Sequence, residues 1–318
     1  MTKGTGNGRK VLVTGAGGFL GSHCCQHFRS EGFRTWACGR FLSSHSTFGL
    51  WDDVEELLEI DLPSPRFARR LAEIQPDLLV HCASSASVPQ SMKDPLSDLR
   101  QSTGIYGEIL EAVRTESPTT TVVLLSSAAV YGQPRTVPTA ESEPPRPISP
   151  YGFHKWMCEL LSKEYAEVYG LKTLNLRIFS AYGERLFKQV VFDVLSKLHA
   201  PGADEIELLG TGEETRDFLH ARDIACAVEA LFESGRTGTF NVASGKATSI
   251  RELVEILSAR SSVSKRFRFR GQGRPGDPDR WCADISELRS TGFAPSVVFE
   301  DGLVGVARWF ESMGRTQA

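Results

Sequence analysis

The chain has 318 residues, 41% hydrophobic and 24% charged, with 36 lysines and arginines against 39 aspartates and glutamates and a formal net charge of −3. These are the proportions of a soluble globular protein with ample material for a core, and the balance gives no global attraction to nucleic acid or an anionic membrane. No apolar stretch approaches the roughly 20 residues needed to span a bilayer, and residues 1–8 are polar and glycine-rich without a signal-peptide hydrophobic region, so a cytoplasmic location is expected.

Residues 9–14 form a short apolar, β-branched run, expected to be a first strand. It runs into the glycine turn Gly15-Ala16-Gly17-Gly18-Phe19-Leu20-Gly21, and a helix is expected over 19–30. Further strands are expected over 33–38, 56–60, 77–81, 121–126 and 172–179, with helices over 65–74, 95–115 and 151–169. Such alternation predicts a doubly wound α/β fold, a parallel sheet covered on both faces, with right-handed crossovers. Past residue 179 the pattern loosens. Helices are expected over 186–199, 221–234, 284–291 and 301–312, a short strand over 239–242, and a loop over the glycine- and proline-rich 271–278. The expected division is a dinucleotide-binding domain over 1–179 and a smaller C-terminal substrate lobe over 180–318, with 221–243 able to return to the first sheet.

Strand, glycine turn and helix in that order suit a dinucleotide. Gly15 permits the tight turn, Gly18 lets backbone approach a pyrophosphate, and Gly21 permits close helix–sheet packing. The helix start, with Phe19 and Leu20, supplies unsatisfied N–H donors and the positive end of the dipole. The second strand ends at Cys38-Gly39-Arg40. Folds that bind NAD usually carry a carboxylate there for the ribose hydroxyls; Gly39 has none, and Arg40, with Ser43 and Ser44 behind it, suits a phosphate. NADP is therefore expected, with NAD the alternative. Asp61 and Leu62, just past the third strand, are candidate adenine contacts.

The chemistry is expected from Ser127, Tyr151 and Lys155. Tyr151 and Lys155 lie four apart, one turn from each other on one helix face. A free tyrosine has a pKa of about 10, and lowering it by roughly three units needs about 4 kcal/mol of differential interaction. A lysine cation and a positive nicotinamide ring favour the phenolate, which could exchange a proton with a sugar hydroxyl while the cofactor handles hydride.

The ordered motifs GAGGFLG at 15–21, HCAS at 81–84, SSAAVYG at 126–132, YGFHK at 151–155, RIFSAYG at 177–183, RDFLHARD at 216–223 and RPGD at 274–277 resemble those of the extended short-chain dehydrogenases/reductases, in the nucleotide-sugar epimerase/dehydratase branch. The resemblance covers almost the whole length. It implies a catalytic triad of Ser127, Tyr151 and Lys155, a nucleotide-diphosphate sugar as substrate, and a homodimer built from the helices at 95–115 and 151–169. Relatives that eliminate water or decarboxylate carry acidic residues after the serine; here Ala128 and Ala129 cannot shuttle protons, which leaves alcohol–ketone chemistry at C4. A 4-epimerase is placed first, an NADPH-dependent 4-ketosugar reductase is the alternative, and a non-catalytic NADP-sensing regulator is a remote third.

Arg216 and Arg274 are candidates for the substrate diphosphate, Asp277 for a nucleotide ribose hydroxyl, and Lys188 and Gln189 for base or sugar. Ser180, a further substrate candidate, and Gln101 stand where relatives carry asparagine. Residues 265–270 alternate basic and aromatic side chains and read as a strand with phenylalanines inward, rather than a nucleic-acid site. The seven cysteines show no Cys-x-x-Cys spacing, so neither a disulfide framework nor a zinc knuckle is indicated. His23 and His27 share a helix face, but no carboxylate accompanies them in sequence, and no metal is expected.

Overall fold

The computed structural model describes residues 8–40, 54–202, 204–263, 265–271 and 279–316, with side chains to residue 313. The first half runs β1 (Lys10–Thr14), α1 (Phe19–Ser30), β2 (Arg34–Gly39), β3 (Glu56–Glu59), α2 (Pro65–Ile74), β4 (Leu78–His81), α3 (Val88–Lys93), α4 (Pro95–Leu99), a π-helical turn (Arg100–Gly104), α5 (Ile105–Glu116) and β5 (Thr121–Ser127). A single 3₁₀ turn (Ala128–Val130) follows, then α6 (Pro150–Tyr169), β6 (Thr173–Ile178) and β7 (Ser180–Tyr182). The remainder comprises α7 (Gln189–His199), β8 (Glu205–Leu208), β9 (Thr215–His220), α8 (Ala221–Glu233), β10 (Gly238–Val242), β11 (Ala247–Ser249), α9 (Ile250–Arg260), β12 (Arg266–Phe269), α10 (Ser286–Arg289) and α11 (Phe299–Thr316).

Seven strands make one sheet in the order β10-β6-β5-β4-β1-β2-β3, and all its pairings are parallel. Successive side chains of a strand face opposite sides, and β1 shows this directly. Val11 and Val13 join Cys24, Cys25 and Phe28 of α1 and Ile224 and Val228 of α8 in one layer. Leu12 joins Phe67 and Leu71 of α2, Tyr106 and Leu110 of α5 and Cys158 of α6 in the other. Chain order reverses direction across the sheet at β4-β1-β2, and ligands of such sheets bind beyond the strand carboxyl ends at that crevice.

The C-terminal part returns to the sheet before leaving it again. α8 packs on α1, and β10 pairs with β6 in the register Thr239↔Asn175. The remaining strands form a three-stranded sheet, β11-β9-β7, and a two-stranded sheet, β12-β8. They share a third core with Val194 and Leu198 of α7, Leu253 of α9 and Leu303 of α11.

Several expectations are corrected here. The helix expected over 95–115 is broken into α4, a π turn and α5. The one expected over 186–199 begins at Gln189, and that over 284–291 shortens to Ser286–Arg289. Strands β7, β8, β9 and β11 and helices α3 and α9 were not anticipated by the periodicity.

Candidate active site

The glycine turn is built as a backbone-only cradle. Gly15 has φ +65°, and a Cβ there would lie 2.6 Å from the Ala83 amide nitrogen, so α1 and the loop after β4 approach through backbone alone. A Cβ on Gly21 would lie 2.2 Å from the Gly15 carbonyl oxygen. The Gly18 amide closes the turn on the Gly15 carbonyl at 2.9 Å. No side chain caps α1, so the first-turn amides that carry Phe19 and Leu20 keep the free N–H groups and positive dipole end that suit a diphosphate.

Arg40 and Asp61, expected as separate cofactor contacts, meet each other. The Arg40 guanidinium is 3.4 Å from the Asp61 carboxylate, with both side chains largely exposed, a setting in which an ion pair is worth little. Both therefore stay open to a ligand at the ends of β2 and β3. Leu62 is half-buried beside them.

On the other side of the crevice, Ser127 ends β5 and its Oγ accepts from the Ala129 amide at 3.1 Å, capping the 3₁₀ turn. α6 starts with Ser149 as N-cap, accepting from the Gly152 amide at 3.2 Å, and Pro150 in its first turn. Gly152 is what brings the two together: a Cβ on it would sit 2.5 Å from the Ala129 carbonyl oxygen. Tyr151 thereby enters next to the turn that Ser127 caps, its amide held by Ser91 Oγ of α3 at 3.1 Å.

Lys155 is 4% exposed. Its Nζ donates to Ser84 Oγ at 2.8 Å and the Leu125 carbonyl at 2.9 Å and stands 5.9 Å from the centre of the Tyr151 ring. Ser84 lies in the HCAS motif beside the glycine turn, so one ammonium ties α6, β5 and the cofactor side together. His81 of the same motif bonds Thr14 Oγ1 through Nδ1 at 2.9 Å. Burial, with the Lys155 charge adding to it, pulls the His81 imidazole down to about 3.

A buried ion pair underlies this site and was missed in the sequence. Glu159 accepts from Arg177 Nη2 at 2.7 Å and Nε at 3.0 Å, and from Ser126 Oγ at 2.6 Å. Arg177 also lies 4.7 Å over the Tyr131 ring, whose hydroxyl donates to Asn241 Oδ1 at 2.7 Å. The available signal was spacing, since Tyr151, Lys155 and Glu159 recur every four residues along one helix face. A second buried pair, His154 Nδ1 to Asp98 Oδ2 at 2.5 Å, fastens α6 to α4.

The substrate candidates are spread along the C-terminal part of the chain, with Gln101 apart from them in its first half. Ser180 sits at the start of β7, opposite Phe218 of β9. Arg216 is half-buried on β9, its guanidinium 5.7 Å over the Trp281 ring. The segment bearing Trp281 is hydrogen-bonded to Thr215. Gln189 is exposed at the start of α7 with φ +69°, and Lys188 Nζ reaches the Ala86 carbonyl at 2.5 Å, spanning from the second lobe to the loop after β4. Gln101 lies in the π turn, bonded to Ser97. Arg274 and Asp277, like Ser43 and Ser44, lie outside the described residues.

A doubly wound parallel sheet with this glycine cradle after its first strand, and a serine turn and a Tyr/Lys-bearing helix after its fifth, is the framework of the extended short-chain dehydrogenases/reductases. A family model, the NAD dependent epimerase/dehydratase family, matches residues 11–243, and the chain belongs to that family. Among its relatives is the UDP-glucose 4-epimerase of Azospirillum brasilense, 30% identical over 337 residues that cover 98% of this chain and 94% of that one. Two solved structures are similar over 96% and 95% of this chain and 99% of theirs. They are a UDP-N-acetylglucosamine 4-epimerase of Methanobrevibacter ruminantium in complex with UDP-N-acetylmuramic acid, at 30% identity and TM-score 0.86, and a Thermus thermophilus UDP-glucose 4-epimerase complexed with NAD, at 26% and 0.85.

Proposed function

We propose that the protein is an NDP-hexose 4-epimerase that works through a transient 4-keto sugar. The observation that carries the reading is the meeting of three features at one crevice: a side-chain-free anion cradle at Gly15–Gly21, the Ser127 turn, and the α6 face bearing Tyr151 and Lys155. The donor set fits a dinucleotide, and the bound nicotinamide would supply hydride acceptance and return. Tyr151 would take the C4 hydroxyl proton and give it back. Ser127 would donate a hydrogen bond to that oxygen, and Lys155, already held between Ser84 and Leu125, would hold a ribose and face the phenol with its charge. Ala128 and Ala129 offer no proton-transfer group next to Ser127, which argues against dehydration. The relatives named above are 4-epimerases, which supports the same assignment.

Arg216 and Gln189, with Arg274 and Asp277, are the proposed grip on the nucleotide diphosphate, and Ser180 contributes at the sugar end. Gly39 and Arg40 favour NADP, because β2 ends without a carboxylate of its own and an exposed guanidinium stands there, with Asp61 of the β3 end beside it; the Thermus relative was solved with NAD. The same pair favours a second reading, an NADPH-dependent 4-ketosugar reductase. A homodimer through the outer face of α6 and a cytoplasmic location complete the proposal.

The deciding experiment incubates purified protein with UDP-, dTDP-, GDP- and CDP-hexoses without added reductant and identifies any dinucleotide that co-purifies. Interconversion of C4 epimers supports the epimerase. Stoichiometric NADPH consumption on a 4-ketosugar, without epimerisation, replaces it by the reductase, and co-purified NAD alone removes the NADP assignment.

A further inference from the structure

His27, set aside in sequence for want of a carboxylate, finds one across the fold. α8 packs along α1, and Glu229 Oε2 of α8 lies 2.6 Å from His27 Nε2. The other ring nitrogen, Nδ1, lies 3.8 Å from the sulfur of Cys226, one turn earlier on α8. The His27 and Glu229 side chains are 13% and 12% exposed, and Cys226 is half-buried, so the residue is partly exposed while its partners are held. The order is nucleophile, imidazole, carboxylate, each within contact of the next, the arrangement that activates a thiol when the carboxylate fixes the ring.

We propose that Cys226, His27 and Glu229 form a reactive-cysteine site that takes small hydroperoxides, separate from the sugar crevice and independent of its assignment. Charge supports the geometry. Burial works against a charged His27 ring, yet its contacts with Cys226 and Glu229 outweigh that and hold it at about 10, so the ring presents a positive edge to the sulfur. An electropositive, partly exposed setting is where cysteines react, whereas thiols packed in apolar surroundings are inert. Burial pushes the Cys38 thiol up to about 12 and raises that of Cys25 further still, which leaves both inert.

In the reaction, the Cys226 sulfur, having given its proton to His27 Nδ1, attacks one peroxide oxygen. An S–O bond forms and the O–O bond breaks, sulfur losing two electrons and the peroxide gaining them. The leaving hydroxide or alkoxide takes that proton from His27 Nδ1 and departs as water or an alcohol, giving a sulfenic acid and a neutral ring. The product sits between α8 and the helix whose first turn carries the glycine cradle.

The test treats the full-length protein with hydrogen peroxide in the presence of dimedone and measures labelling of each cysteine peptide by mass spectrometry. Cys226 should be labelled at least tenfold faster than Cys82, the other half-buried cysteine. His27→Gln should cut that rate at least fivefold, and Glu229→Gln, a milder change that keeps the side-chain volume, should cut it at least twofold. Labelling of Cys226 no faster than Cys82, or an undiminished rate in both variants, would overturn the proposal.

Discussion

Tyr151 is the proposed acid–base group, and what its oxygen does can be separated from what the residue packs against. Removing its oxygen leaves the ring, the Ser91 contact to its amide and the Lys155 anchors in place. Tyr151→Phe should therefore lower kcat for C4 epimerisation by about 10²–10⁴-fold, the usual worth of a positioned acid–base group, with KM for the nucleotide sugar changed less than about threefold. Steady-state kinetics check this, and a variant with wild-type kcat would take the tyrosine out of the chemistry. A different residue contributes to acid stability. His81 is held neutral by burial, its folded value of about 3 lying below the ordinary 6.5. Between those values the unfolded chain binds a proton that the folded protein does not, so stability is full above about pH 6.5 and falls as pH drops towards 3. At pH 5 the loss from this one ring is about 2 kcal/mol. Urea midpoints measured from pH 7.5 to 4.5 should fall more steeply in the wild type than in His81→Asn. Equal slopes would show that His81 is not the group responsible.

Among the helices and strands, the N-terminus of α6 is a tightly constrained junction. Gly152→Ala introduces a methyl 2.5 Å from the Ala129 carbonyl and 3.1 Å from Pro147 Cβ, and a backbone neighbour cannot turn away as a side chain can. The helix start must shift, at a cost of about 1–3 kcal/mol. Because Tyr151 precedes that glycine, activity should fall at least tenfold at temperatures where the variant remains folded. Thermal unfolding and kinetics on one preparation test it, and an unchanged melting temperature with unchanged kcat would show that the contact is not limiting. The same junction shows what sequence could and could not reveal. Ser149, Pro150 and Gly170 mark the ends of α6 by local chemistry alone, and β1, β4 and β5 announce themselves as unbroken apolar runs because both sheet faces are covered. β7 and β11 are three residues each and mix polar with apolar side chains, too short for any period to register. The π turn at Arg100–Gly104 was hidden because its residues still fit a helical face, with one extra residue per turn. In the site, the glycine cradle and the Tyr/Lys spacing are local and were readable. Glu159 with Arg177, His154 with Asp98 and His27 with Glu229 join elements far apart in sequence, and only the packing of the sheet layers brings them together.

The assembled fold leaves an apolar stripe on α6 uncovered. On α6, Phe153, Met157, Leu160 and Val168 point outward, with Leu160 49% and Val168 66% exposed, while the inner side of the same helix holds Lys155 and Glu159. α5 runs beside it, Tyr165 donating to Glu111 and Arg114 lying over Tyr169 at the rim. An apolar core with a charged rim is the composition of a self-association surface. Because a two-fold axis would set the same stripe against itself, a charge placed at its centre is opposed by an identical charge. Leu160→Glu should therefore convert a dimer into a monomer at micromolar concentration by sedimentation equilibrium. Its circular dichroism should be unchanged, since Leu160 adds nothing to the inner layers. The dimer would clamp the helix that carries Tyr151 and Lys155 along its whole outer face, so the monomeric variant should also lose activity more steeply on dilution and warming than the wild type. A Leu160→Glu protein that sediments like the wild type would show that this stripe is not where two copies meet.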